Sequence, residues 1–152
     1  MGIESVNQDT LNSMNKGVKI NDVKGKIELL RRYGIIISPN FILGFPEDTE
    51  DDYIAIMDFI KRNGLEKHGR LPYLCPAPGT RLWKECVENG QIKNEWEFIK
   101  GLGNLFFERM INLTNLPDEV LDHYFNEITV LLQRPVSYPK SKKYLERIRR
   151  LY

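Results

Sequence analysis

The stretch Ile35-Ile36-Ile37-Ser38-Pro39-Asn40-Phe41-Ile42-Leu43-Gly44-Phe45-Pro46-Glu47-Asp48-Thr49 decides the fold. Its two apolar triplets, 35–37 and 41–43, are too hydrophobic for a strand with one wet face. They read as a buried parallel strand whose start Pro39 makes irregular. Gly44-Phe45-Pro46 ends the run, and Asp48 or Thr49 is placed to cap a helix with Tyr53, Ile56 and Ile60 inward and Asn63-Gly64 at its close. Upstream, Asn21 or Asp22 caps a helix whose Val23, Ile27 and Leu30 recur at helical spacing, with Gly34 as its stop. Downstream, Leu71 to Cys75 reads as another strand, ended by the turn Pro76-Ala77-Pro78-Gly79. Helix, strand, helix, strand at this spacing predicts βαβ units and a parallel sheet, with Gly2 to Val6 as the tail of one more strand.

Between that tail and the first long helix, Asn7 to Asn15 predicts a short helix with Asn7 or Asp9 as cap and Gly17 as stop. From Arg81 onward no strand signal appears. Leu82 to Val87 reads as a short helix and Glu95 to Ile111 as a longer amphipathic one. Pro117 opens another that runs to Gln133 with Val120, Tyr124, Ile128 and Leu131 inward. Pro135 and Pro139 set off a final basic helix, Lys142 to Leu151.

The 152 residues are the size of one domain. Apolar residues at 41% and charged residues at 28% fit a globular protein, and no apolar run approaches the roughly 20 residues a spanning helix needs. Met1 to Asn15 is polar throughout and does not read as a signal peptide, so the expected location is cytoplasmic, with no membrane partner. With 22 basic and 21 acidic residues there is no global electrostatic case for nucleic acid. The charge is uneven, however: Glu47 to Asp58 is acidic and Arg134 to Tyr152 basic, and each reads as a solvated face. Tyr138, Tyr144 and Tyr152 lie in the basic stretch, but no recognised nucleic-acid fold accompanies them. Cys75 and Cys86 allow at most one disulfide and exclude a four-thiolate metal site.

No phosphate loop, nucleophile elbow or zinc-protease helix is present, and His68 and His123 have no second histidine at metal-binding spacing. Chemistry is therefore expected at the carboxyl ends of the strands, where loops and unpaired N–H groups converge in parallel folds. Three stretches fall there: Gly2-Ile3-Glu4-Ser5, Leu43 to Thr49, and Pro76 to Thr80. Glu4 offers an acceptor for hydroxyls and Lys16 a cation for a carboxylate. Asn40 is a polar residue among apolar ones, placed either for a bulge or backbone bond beside Pro39 or for a ligand.

Four blocks in order, Gly2-Ile3-Glu4-Ser5, Met14-Asn15-Lys16-Gly17, Phe41 to Asp52, and Pro76-Ala77-Pro78-Gly79-Thr80-Arg81-Leu82-Trp83, resemble the C-terminal half of a radical S-adenosylmethionine (SAM) core domain. The similarity is greatest to the branch whose members often carry an N-terminal cobalamin-binding domain. It covers about residues 1–92 and leaves 93–152 as a helical extension. The resemblance implies an α/β fold, the latter part of a partial TIM-type barrel of six βα units. It also implies that Glu4 and Asn40 meet the ribose of SAM, that Lys16 meets its carboxylate, and that Ile42 and Leu74 to Pro76 line the adenine. The family's CxxxCxxC motif, which holds a four-iron four-sulfur cluster, has no match here, and two thiolates eleven residues apart do not replace it. The acidic motif for the SAM amino group is missing as well, and Val6 stands where glycine is usual. The chain by itself is thus expected to be inactive and to depend on the missing N-terminal half of a barrel, on the same or another chain. The alternative is a non-catalytic α/β-helical module that binds a partner, or a second copy of itself, through an open sheet edge.

Overall fold

Two short strands and a third extended segment run parallel, side by side. In the computed structural model, which describes residues 1–66, 68–102 and 109–133, β1 (Gly2–Glu4) pairs with β2 (Asn40–Phe41) in a two-stranded parallel sheet. Asn40 N–H donates to Met1 O (2.8 Å) and Ile42 N–H to Glu4 O (2.9 Å). Phe41 and Leu43 turn their N–H groups the other way, onto Arg70 O (3.0 Å) and Pro72 O (3.1 Å). Residues 70–73 thereby lie along the far side of β2 through the parallel bridges Asn40↔Arg70 and Leu43↔Tyr73. The protein is α/β and mostly helical around this small parallel sheet.

The strand expected over 35–43 is confined to its second half. Ile35 and Ile36 are 50% and 60% exposed and Ile37 only packs against the core edge. The reason is topological: β1 begins at Gly2, opposite Asn40, and residue 70 also meets Asn40, so among the described residues no strand lies beside 35–37.

Helices cover one face. α1 (Gln8–Ser13) is capped by Asn7, as its sequence predicts. α2 (Ile20–Arg32) has its N-cap at Lys19, ahead of the expected Asn21/Asp22 cap, because the Gln8 side chain accepts the Ile20 N–H (3.1 Å) and supplies an acceptor that Lys19 lacks. α3 (Glu50–Arg62) starts at Thr49, whose N–H and hydroxyl both donate to Asp52. α4 (Arg81–Glu88) is capped by the Thr80 hydroxyl, and α5 (Glu95–Gly101) by the Asn94 carbonyl oxygen. The helix expected over 95–111 is shorter, since residues 109–111 are not helical. α6 (Asp118–Leu132) follows Pro117. The expected basic helix from Lys142 lies outside the described residues, as do residues 103–108.

Ile3, Phe41, Leu43, Leu71 and Tyr73 point into one core with Val23 and Ile27 of α2, Tyr53, Ile56, Phe59 and Ile60 of α3, and Leu121, Ile128, Leu131 and Leu132 of α6. Tyr73 fixes α6: its ring stacks on Phe125 (4.0 Å, 9°) and its hydroxyl donates to Asp122 (2.8 Å). Arg109 grips the same Asp122 with two donors at 3.0 Å and reaches Asp118 at 3.0 Å. A second cluster, Trp83, Cys86, Ile92 and Leu113, seats α4 and α5.

Candidate functional site

Strand alternation puts Glu4, Asn40, Ile42 and Leu74 on the face opposite the core that α2, α3 and α6 cover. Between the buried residues Ile3, Phe41, Leu43 and Tyr73 lie Gly2, Glu4, Asn40, Ile42 and Leu74, none of them fully buried. Leu74 also packs on the Trp83 cluster, and Pro76 is fully buried, so only its neighbours offer surface to a ligand.

Glu4 is set by unusual backbone. Its φ is +69°, and Ser5 N–H donates back to Ile3 O (3.0 Å), closing a three-residue turn around Glu4 at the carboxyl end of β1. An L-residue held in the left-handed region costs on the order of 1 kcal/mol, and such outliers concentrate where a side chain must be aimed. Lys16 is brought back to it by the end of α1. Asn15 takes the left-handed conformation (φ +52°), Asn15 N–H donates to Asn12 O (2.9 Å) and Lys16 N–H to Leu11 O (3.1 Å). This paired closure reverses the chain just past the helix. The ammonium of Lys16 therefore ends 2.7 Å from Glu4 Oε1, with side-chain exposures of 30% and 16%. Gly2 makes room for the pair: a Cβ there would collide with Glu4 Oε1 and stand 3.3 Å from Lys16 Nζ.

The loop after β2 is organised by Asp48, which sequence reasoning offered only as a helix cap. Its Oδ2 accepts the N–H groups of Gly44 and Phe45, both at 3.0 Å, and closes the turn onto itself. Asp48 is 6% exposed, and burial pushes its carboxyl up to about 6 despite those two N–H donors. Gly44, at φ +97°, supplies a backbone that L-residues rarely adopt. No sequence motif marks the role of Asp48, because it depends on a four-residue turn whose geometry Gly44 permits.

The face thus combines a carboxylate, an ammonium, a carboxamide and apolar side chains within one strand-end surface. It suits a ligand with hydroxyls, an anionic group and a flat apolar body. Cys75 and Cys86 are free thiols, and burial raises both above the usual thiol range. Among the described residues no group of three or more His, Cys, Asp or Glu side chains is arranged to hold a metal. No helix among them is long and apolar enough to cross a membrane.

No family model matches the chain. It is 37% identical over 86 residues to a bacteriochlorophyllide d C-12(1)-methyltransferase of Chlorobaculum tepidum, a match spanning 56% of this chain and 19% of that protein. To the bacteriochlorophyllide d C-8(2)-methyltransferase of the same organism it is 36% identical over 102 residues, 63% of this chain and 22% of that one. To the ribosomal protein uS12 methylthiotransferase RimO of Clostridium botulinum it is 34% identical over 73 residues, covering 47% and 16%. The chain spans about a fifth of the length of these curated relatives. Over that part, and at moderate identity, the similarity to methyltransferases and methylthiotransferases supports the resemblance to the radical SAM superfamily.

Proposed function

We propose that this chain forms the SAM-facing latter part of a radical SAM barrel, within a cytoplasmic enzyme that transfers a methyl or methylthio group. The observation that carries the reading is the joint placement of Glu4, Lys16, Asn40 and Ile42 on one accessible face at the ends of parallel strands. Lys16 offers its charge to the carboxylate of SAM, while Glu4 and Asn40 take the ribose. Ile42, Leu74 and Cys75 flank the adenine, with Pro76 buried behind them. In the free protein Lys16 and Glu4 neutralise each other, so the ligand replaces that pair with a carboxylate for Lys16 and hydroxyls for Glu4.

These donors fit SAM, which when bound supplies an activated carbon on its sulfonium. They do not fit a four-iron four-sulfur cluster, because the chain has two cysteines and such a cluster is held by more thiolates. Cluster ligands, and cobalamin if the longer protein uses it, belong to an upstream segment on the same or another chain that would extend the sheet beside β1.

Calorimetric titration of the 152-residue chain with SAM tests the reading. Saturable binding that is lost in Glu4→Ala and Lys16→Ala is expected. No binding, or binding that neither substitution weakens, overturns it.

A further inference from the structure

The segments that follow β1 and β2 are tied together by one side chain, Asn7, which bonds Asp52 across 45 residues of sequence. Asn7 uses both ends of its carboxamide. Its Oδ1 accepts the N–H of Asp9 (2.8 Å) and caps α1, the helix whose far end delivers Lys16. Its Nδ2 donates to Asp52 Oδ1 (2.7 Å) in the first turn of α3. The other oxygen of Asp52 accepts from the Thr49 N–H (2.9 Å) and hydroxyl (2.7 Å) and so fixes the end of the loop that Asp48 closes. On the β1 side, the Ser5 hydroxyl accepts the Asn7 N–H (3.1 Å), and Ser5 itself closes the turn around Glu4. An unbroken line of hydrogen bonds runs from the turn at Glu4 through Ser5, Asn7 and Asp52 to Thr49. Burial works against the charge of Asp52, yet the donors Asn7 and Thr49 hold its carboxyl below the usual range.

We propose that Asn7 is a positioning residue that locks the segment from Glu4 through α1 to Lys16 onto the loop of Gly44 to Thr49, so that the two sides of the SAM surface move as one unit. The ligand part rests on the function proposed above; the lock itself does not. Neither residue touches the ligand. Asn7 acts through the helix it caps, and Asp52 through the loop it closes. A carboxamide suits position 7 because the role needs an acceptor and a donor on one short side chain, and an ionised aspartate there has no donor to offer the Asp52 carboxylate.

Hydrogen exchange on the full chain tests the lock without any ligand. Asp52→Ala is expected to speed exchange at the Asp9 and Thr10 amides roughly tenfold relative to core amides such as Ile128, although the substitution lies more than 40 residues away. Asn7→Asp, which sets two carboxylates against each other, is expected to do the same and to weaken SAM binding roughly tenfold. The exchanged pair Asn7→Asp with Asp52→Asn restores a donor facing an acceptor and is expected to recover both readouts. Unchanged exchange at Asp9 and Thr10 in Asp52→Ala overturns the lock. Altered exchange with wild-type SAM affinity in Asn7→Asp overturns its positioning role. If the wild-type chain binds no SAM while the exchange coupling holds, the proposed function falls and the lock stands.

Discussion

Lys16 Nζ lies 2.7 Å from Glu4 Oε1, and both groups occupy the space that a side chain at residue 2 would fill. Three residues distant in role are therefore one steric unit: the size of residue 2 sets where the carboxylate of residue 4 rests, and the carboxylate sets where the ammonium of residue 16 rests.

Gly2→Ala should separate ligand binding from stability. The atom that must yield is the flexible end of Glu4, and Gly2 has no left-handed backbone to strain. The expected change in unfolding free energy is within about 0.5 kcal/mol, while SAM affinity falls about tenfold as the carboxylate is pushed off its position. Chemical denaturation and calorimetry on the same sample check the two halves.

Lys16→Met should discriminate between ligands. The ion pair with Glu4 is partly buried, with side-chain exposures of 30% and 16%, and contributes on the order of 1 kcal/mol to folding, so the variant stays folded. Binding of SAM, which carries a carboxylate, should weaken at least about tenfold. Adenosine, which lacks that carboxylate, should bind as it does to the wild type.

Asp48 makes stability depend on pH. Its carboxyl is raised from 3.8 to about 6 by burial, so between those values the folded state binds a proton that the unfolded chain does not. The stabilising contribution of the protonated form is complete below pH 3.8 and is lost as pH rises through about 6. That separation of folded and unfolded values corresponds to roughly 3 kcal/mol. Asp48→Asn, which keeps an acceptor for Gly44 and Phe45 and does not ionise, should show a flatter change in Tm than the wild type between pH 4 and pH 7. Parallel Tm profiles would refute the assignment.

Tyr73→Phe should loosen α6 without moving the sheet. The ring and its stack on Phe125 remain, but Asp122 loses the Tyr73 donor and keeps Arg109. A loss of about 1 kcal/mol is expected in urea unfolding. In combination with Arg109→Ala the effects should be non-additive, since both donors converge on one carboxylate.

Much of this architecture was legible from local patterns. Helical spacing located Val23 and Ile27 on α2 and Ile56 and Ile60 on α3 as core residues, and Pro117 marked the start of α6. The parallel order followed from alternating helix and strand signals. What local pattern did not carry was supplied by distant partners. Ile35 and Ile36 have strand character but no strand beside them among the described residues, and α2 begins where Gln8, twelve residues away, offers an acceptor. At the site, Glu4 and Lys16 were visible as residue types. Their contact was not, because it depends on two left-handed residues, Glu4 and Asn15, that composition does not announce. The contact between Asn7 and Asp52 was not legible either: Asn7 reads as the cap of its own helix and Asp52 as one carboxylate of an acidic run, 45 residues apart.

The left-handed backbone at Glu4 sets folding and chemistry in opposition at one position. Glycine there would relieve the turn and favour the folded chain, yet it would delete the carboxylate that the turn presents. A library of variants selected for solubility or heat resistance alone should drift to glycine at residue 4, whereas one selected for ligand retention should keep glutamate and tolerate the less stable fold.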